Sequence, residues 1–270
     1  ATYSCSSSSR RSCRLYGALY AAGVSLEVIR ETSKSFMSNP NYKKESSDNY
    51  SLIGTAGLRE LLEPLIGGMN IEDFPIPFRA TASGMTSGEE VELSSGSAIE
   101  AVLATIAVPG VFPSRNYDDN VLVDGAVLNP IPVATARNIK SSLPIVAVVL
   151  HRTDVPMEPG DGYLKLYDGL PGEIAKGFTR TKIGETIRTF AKSMLMINDK
   201  LAELSLQVNE PDVIVDPKVG HFDMLQLVDP EELERLGYEA MQAKLMQLEE
   251  ACSLLNTYRR ISRYTSAKKD

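Results

Sequence analysis

The chain has no tryptophan, two histidines and three cysteines among 270 residues. Scarce histidine restricts any mechanism built on an imidazole base, since only His151 and His221 can supply one. Cys5, Cys13 and Cys252 cannot make a disulfide framework and lack metal-ligand spacing, so a reducing compartment is expected. The longest apolar run, Leu143 to Leu150, has eight residues, far short of the roughly 20 a membrane-spanning helix needs. Positive charge is also short. The 28 Lys and Arg face 35 Asp and Glu, a net charge of −7, which argues against nucleic acid as a partner because its phosphates require a basic face. With 43% hydrophobic and 23% charged residues, the chain has the composition of a globular protein and not of a wholly disordered one.

Residues 1–14, ATYSCSSSSRRSCR, contain six serines, three arginines and no acid. They hold no apolar stretch for a secretory signal and lack the amphipathic pattern of an organellar transit peptide. Residues 1–15 are therefore expected to be irregular and disordered, with too little apolar surface to order themselves. From Leu15 the pattern changes. Leu15, Leu19, Ala22, Leu26, Ile29 and Phe36 recur at helical spacing, interrupted near Gly23. A polar loop around Asn39-Pro40 follows, then an amphipathic helix over 57–66 closed by Gly67-Gly68.

Pro75 and Pro77 precede a strand expected over 78–82, which turns through 83–88 into a second strand over 90–93. A helix over 97–107 stops at Val108-Pro109-Gly110, because proline cannot continue the helical hydrogen-bond ladder. Short strands are expected at 121–123 and 212–215, with a doubly buried strand at 143–150. Helices are expected at 130–139, 184–208 and 230–255. Strands alternating with helices read as one α/β domain over 16–256 with a largely parallel central sheet flanked by helices. Residues 257–270 read as a basic, frayed tail carrying Arg259, Arg260, Arg263, Lys268 and Lys269.

The stretch that can carry chemistry runs ATIAVPGVFP (104–113), VLVDGA (121–126) and VLNPIPVATA (127–136). Asp124 closes an apolar strand, and in open α/β sheets ligands sit at the carboxyl ends of strands. Gly125 and Ala126 remove bulk beside it. On physical grounds alone, Asp124 is equally at home as the cap of a turn or of the following helix.

These segments, with GALYAAG (17–23), IEDFPIPFRATASGMTSGEEVELSSGSAIEAVLATIA (71–107), PIVAVVL and HFDMLQLVDPEELERLGYEA (221–240), resemble the bacterial-type branch of the patatin-like phospholipases in family order. The resemblance extends from residue 16 to about residue 245. It implies a lipid acyl hydrolase with a Ser–Asp dyad, its serine in a Gly-x-Ser-x-Gly elbow and its oxyanion bound by an upstream glycine-rich loop. Carried over by position, Asp124 is the dyad base and Gly125 and Ala126 complete its motif. A serine needs such a base to become a nucleophile. The resemblance further implies a lipid or acyl-ester substrate, a cytoplasmic location with peripheral membrane contact, and no cofactor or metal.

The elbow departs from the pattern. Anchored on Gly17, it falls on Ser9-Arg10-Arg11-Ser12-Cys13, with Arg11 at the serine position and neither glycine present. A one-residue slip recruits Ser12 as the candidate nucleophile, still without the small neighbours a strained elbow needs. The apolar strand that feeds the elbow is expected to be missing. Three explanations stay open: an incomplete copy with a foreign start, a relative that kept the scaffold and lost the chemistry, or Ser12 working in an unusual elbow. Other candidates read as structural. His221 and Asp223 lack a third metal ligand, and His151 fits a loop hydrogen bond. Gly54-Thr55-Ala56-Gly57 lacks the Lys-Ser/Thr of a phosphate loop. Met194 and Met196 are expected to fill the core.

Overall fold

The computed structural model describes residues 10–38, 53–140, 142–150, 182–219 and 228–258, together with residues 5, 6, 41, 43–45, 48, 51, 222 and 260. The interrupted helical pattern becomes two helices, α1 (Arg10–Ala21) and α2 (Leu26–Ser38). Between them Gly23 adopts φ +89°, a left-handed conformation that glycine reaches without steric cost. Helix α1 begins five residues before the expected boundary of the irregular segment, and both Arg14 and Leu15 are buried. Helix α3 (Ala56–Ile66) follows.

Strands β2 (Ala80–Gly84) and β3 (Glu90–Leu93) form the expected hairpin. Helix α4 (Ala98–Thr105) is capped by Ser97, whose side chain accepts from the Glu100 N–H. It ends before Pro109, as proline requires. A second hairpin, not anticipated, joins β4 (Arg115–Tyr117) to β5 (Asn120–Asp124). Its tight turn places Asp118 at φ +49°, a region aspartate tolerates better than most residues. A single 3-10 turn (Gly125–Val127) leads on to α5 (Val133–Ile139) and β6 (Val146–Val149). The remaining elements are α6 (Lys182–Val208), β7 (Val213–Val215), α7 (Pro230–Gln242) and α8 (Leu245–Ala251).

The largely parallel sheet is not what forms. Among the described residues, the strands divide into a four-stranded antiparallel sheet, order β3-β2-β5-β4, and a three-stranded parallel sheet in which a short strand β1 (Cys5–Ser6) opens the order β1-β6-β7. Tight turns join β2 to β3 and β4 to β5, a connection open only to antiparallel neighbours, while the parallel pairs are joined by long crossovers. The N-terminal strand is present after all. β1 (Cys5–Ser6) pairs in parallel with Val148 and Val149 of β6. Backbone pairing supplies its hydrogen bonds, so apolar side chains are not required for it to form.

The main core lies where α1, α3 and α4 meet the antiparallel sheet, with Leu19, Leu62, Ile66, Leu103 and Leu122 almost wholly buried. Smaller clusters flank the parallel sheet: Ile131, Val133, Val149 and Ala202 in one, Val213, Val215 and Ala251 in another. The long helix expected over 230–255 breaks after Gln242. The break lets Met241 and Leu248 both pack on Val213 and Val215, so tertiary packing overrides a sequence compatible with one helix. Met196 is exposed and Met194 half-buried, so Met196 does not fill the core. Arg260 is no part of a solvated tail. It is buried, donates to the Ala251 carbonyl at 2.7 Å and pairs with Asp212 at 3.2 Å.

The burial pattern sets a measurable contrast. Leu62→Ala is expected to lower unfolding free energy by about 2–5 kcal/mol in a denaturant titration. Met246→Ala, 83% exposed, should stay within about 0.5 kcal/mol of the parent.

Candidate active site

Asp124 is the last residue of β5, in register with Ala82 of β2, and is 5% exposed. Its backbone is held on both sides. The N–H donates to the Ala107 carbonyl at 2.9 Å, and the carbonyl accepts from Ser83 Oγ at 3.0 Å. Its carboxylate Oδ1 accepts from the Ala126 N–H at 2.8 Å, capping the 3-10 turn. The capping reading of Asp124 is therefore realised. Gly125 explains its own place in the motif, because a Cβ there would lie 2.4 Å from the Thr81 carbonyl oxygen. That approach is available only to glycine.

The second partner of Asp124 was not foreseen. The Arg14 guanidinium, 6% exposed, donates to Asp124 Oδ1 and also to the Thr105 carbonyl. Arg14 thus links three elements, α1 that carries it, the C-terminal turn of α4 and the end of β5. A cation at a helix C-terminus is favoured by the helix dipole. Thr105 is itself tied to β2, its Oγ1 donating to the Thr81 carbonyl at 2.5 Å. One signal was available in the sequence. Arg14, Ala18 and Ala21 fall at helical spacing on the buried face of α1, and a cation on such a face requires a paired partner.

Helix α6 fastens the chain just after the motif. Asn198 Nδ2 donates to the Ala126 carbonyl at 2.6 Å, and Ser205 Oγ donates to the Ile131 carbonyl at 2.8 Å. Asn129 donates to Glu90 at 2.8 Å, joining the same segment to β3. Asn198 and Ser205 were also missed, since their partners are backbone carbonyls more than 70 residues away.

The structure brings Asp124, Gly125 and Ala126 together with Arg14. Ser12 lies in the first turn of α1, two positions before Arg14. His151, His221 and Asp223 lie outside the described residues. Among the described residues there is no group of three His, Cys, Asp or Glu able to hold a metal ion, and no helix is long and apolar enough to cross a membrane.

Comparison with known proteins agrees with the geometry. Residues 15–137, which include Arg14's neighbours in α1 and the whole of β5 and its turn, match the family model of the patatin-like phospholipases. Over that stretch the chain is patatin-like. An uncharacterized NTE family protein of Mycobacterium bovis is 33% identical over 86 residues, 32% of this chain and 24% of that protein. A second NTE family protein, from Mycobacterium tuberculosis, is 28% identical over 186 residues, 67% of this chain and 31% of that protein. The chain spans about a quarter to a third of the length of these curated relatives. The Asp124-Gly125-Ala126 turn and its Arg14 partner lie within or one residue from the patatin-like stretch.

The ion pair makes a clear energetic prediction. Arg14→Met should destabilise the fold by about 3–5 kcal/mol, because it leaves a buried carboxylate without its partner. The double variant Arg14→Met/Asp124→Asn should lose clearly less than the sum of its single variants in a denaturant-based double-mutant cycle. A coupling near zero would show that the two side chains do not depend on each other.

Proposed function

We propose that this chain descends from lipid acyl hydrolases and keeps their scaffold without a working Ser–Asp dyad. Asp124 acts as the ion-pair acceptor of Arg14, and the domain recognises lipid or acyl-ester ligands without cleaving them. The observation that carries this reading is the contact between Arg14 and Asp124. A general base must offer a lone pair to the hydroxyl it deprotonates; Asp124 Oδ1 is taken by the Arg14 guanidinium and the Ala126 N–H, which leaves only Oδ2 for that task. The family's serine position holds Arg11, one helical turn before Arg14. Ser12 is two positions from Arg14, a spacing that does not share a helix face. Lipid recognition enters from the patatin-like match, and a cytoplasmic protein touching membranes peripherally is the setting it favours.

A second reading has its own support. The Asp124-Gly125-Ala126 turn lies inside the stretch that matches the patatin-like phospholipases, and by that resemblance Asp124 would serve as the dyad base. In that reading Ser12 attacks the ester carbonyl, Asp124 takes the hydroxyl proton, and an acyl-enzyme forms with release of the alcohol. Water then hydrolyses the acyl-enzyme and regenerates the serine.

Labelling with a fluorophosphonate probe, followed by peptide mapping, separates the two, because the probe reacts covalently with an activated serine. The folded chain is expected to remain unlabelled and to hydrolyse p-nitrophenyl acyl esters at the buffer rate. A label on Ser12 that disappears in Asp124→Asn would overturn the non-catalytic reading and establish the dyad.

A further inference from the structure

Helix α7 is attached to the rest of the fold in an unusual way. Six of its thirteen residues are hydrophobic or glycine, yet none is buried. Its apolar contacts are partial. Leu233 and Leu236 rest against the cluster formed by Leu150, Val219, Phe222 and Val228, while Ala240 and Met241 rest against β7. What fixes its first two turns is charge. Arg30 of α2 grips Glu234 with two nitrogen–oxygen contacts of 2.8 and 2.7 Å, and Lys34, one turn on, pairs with Glu231 at 2.5 Å.

The spacing makes these two contacts a matched pair. Arg30 and Lys34 are four apart on α2, and Glu231 and Glu234 are three apart on α7, so each pair lies on one face of its helix. Glu231 also sits in the first turn of α7 behind the Asp229 cap, where carboxylates complement the helix dipole. All four side chains are between about a third and two thirds exposed. Exposed ion pairs are individually weak and screened by salt. A helix with no buried residue, joined by partial apolar contacts and exposed ion pairs, belongs to the part of a fold that opens locally at small free-energy cost.

Beneath α7 lies apolar surface at a consequential place. Leu150 directly follows β6, at the carboxyl end of a parallel strand, the edge at which α/β sheets present their ligand sites. Lifting α7 withdraws Leu233 and Leu236 from that cluster. We propose that α7 is an ionically latched cover, closed on α2 by Arg30–Glu234 and Lys34–Glu231, whose release exposes the apolar cluster at the carboxyl end of β6. This rests on no reading of Asp124, because neither the latch nor the cluster includes the Asp124 site.

The titration behaviour agrees in sign. The hydrogen bond to Arg30 holds the Glu234 carboxyl below its usual range, and the same bond raises Arg30, while Glu231 raises Lys34. A depressed carboxyl contributes at pH values above its ordinary range and loses that contribution as pH falls through its folded value. The raised cations contribute below their ordinary range, so the latch is closed at neutral pH and weakens in acid. Glu27 and Glu31 on α2 and Asp229 at the cap of α7 add to the field on these two cations. Arg235 pairs along its own helix with Glu239 at 2.7 Å and does not compete.

Hydrogen exchange with mass readout on the full chain tests this directly. Raising sodium chloride from about 0.1 M to about 1 M shortens the screening length from about 10 Å to about 3 Å. Exchange over 230–242 is expected to accelerate by about threefold or more, with 98–105 of α4 unchanged and binding of an apolar fluorescent dye increased. Arg30→Glu should reproduce the acceleration at low salt, and Arg30→Glu/Glu234→Arg should reverse it. Exchange over 230–242 that ignores salt would overturn the proposal. So would acceleration of α4 in parallel, which marks global unfolding. The salt series on the unaltered chain decides the matter even where a variant fails to fold.

Discussion

A guanidinium and a carboxylate buried together at the junction of α1, α4 and β5 set the position of everything around the patatin-like turn. Each charge alone would be costly in that place, and the pair is tolerated because each group finds hydrogen-bond partners in addition to the other. Arg14 reaches both Asp124 and the Thr105 carbonyl, and Asp124 reaches both Arg14 and the Ala126 N–H. The pair can form only because the backbone comes close beneath it. Gly125 lies against Thr81 with no room for a Cβ, and Thr105 bonds to that same Thr81 carbonyl. Helix α1 is thereby fixed in depth and rotation against the antiparallel sheet, and the shape of the candidate site follows from that placement.

Arginine serves this role more than once in an otherwise acidic chain. Arg115 lies in β4 and is buried, and it reaches Thr55 and, at 3.5 Å, Asp48. Asp48 in turn accepts from the backbone of Glu45 and Thr55. Arg260 fastens the C-terminal region to Asp212, just before β7. In each case one planar group with several fixed donors joins segments far apart in the chain, which a lysine ammonium would do with less directional control. Among the described residues, Arg115 and Arg260 each keep one buried Nε without a partner, so these arginines are placed for the tertiary links they make and not for full satisfaction of every donor. The α2–α7 contact uses the same two charges at the surface, where water weakens them. Burial separates a permanent joint from a reversible one.

Local patterns in the sequence were enough to locate much of this architecture. The β2–β3 hairpin follows from two short apolar runs around a glycine-containing turn, α3 from its apolar face and closing glycines, and α4 from Ser97 at one end and Pro109 beyond the other. Asp124 at the end of β5 was visible for the same reason, as an acid closing an apolar run, although the residues alone left a capping role equally open. Strand direction was not visible, because periodicity reports which face is buried and says nothing of which neighbour pairs. β4 is three residues, two of them exposed, and carries no apolar alternation. Arg14 escaped because its meaning depends on a carboxylate 110 residues away. The polar composition of residues 1–14 also hid the first turn of a helix whose buried face includes Arg14, Leu15, Ala18, Leu19 and Ala21.

The use of arginine elsewhere in the fold bears on how Asp124 should be understood. Asp48 and Asp212 are structural acceptors, each holding a buried arginine while also receiving hydrogen bonds from backbone N–H groups. Asp124 also combines an arginine with a backbone N–H, but both meet Oδ1, whereas Asp48 and Asp212 give one oxygen to each. A catalytic carboxylate differs in a physical respect. It needs an accessible lone pair directed at a reacting hydroxyl, and so it must leave part of its hydrogen-bonding capacity for the substrate step. Asp48 and Asp212 engage both carboxylate oxygens, while the Arg14 and Ala126 contacts of Asp124 engage Oδ1 alone. The patatin-like turn and the anchoring role are compatible, because the strand, the close-packed glycine and the capped 3-10 turn hold a carboxylate in place equally well for either partner. What distinguishes the roles is the group that meets Oδ2, since Arg14 and the Ala126 N–H both meet Oδ1.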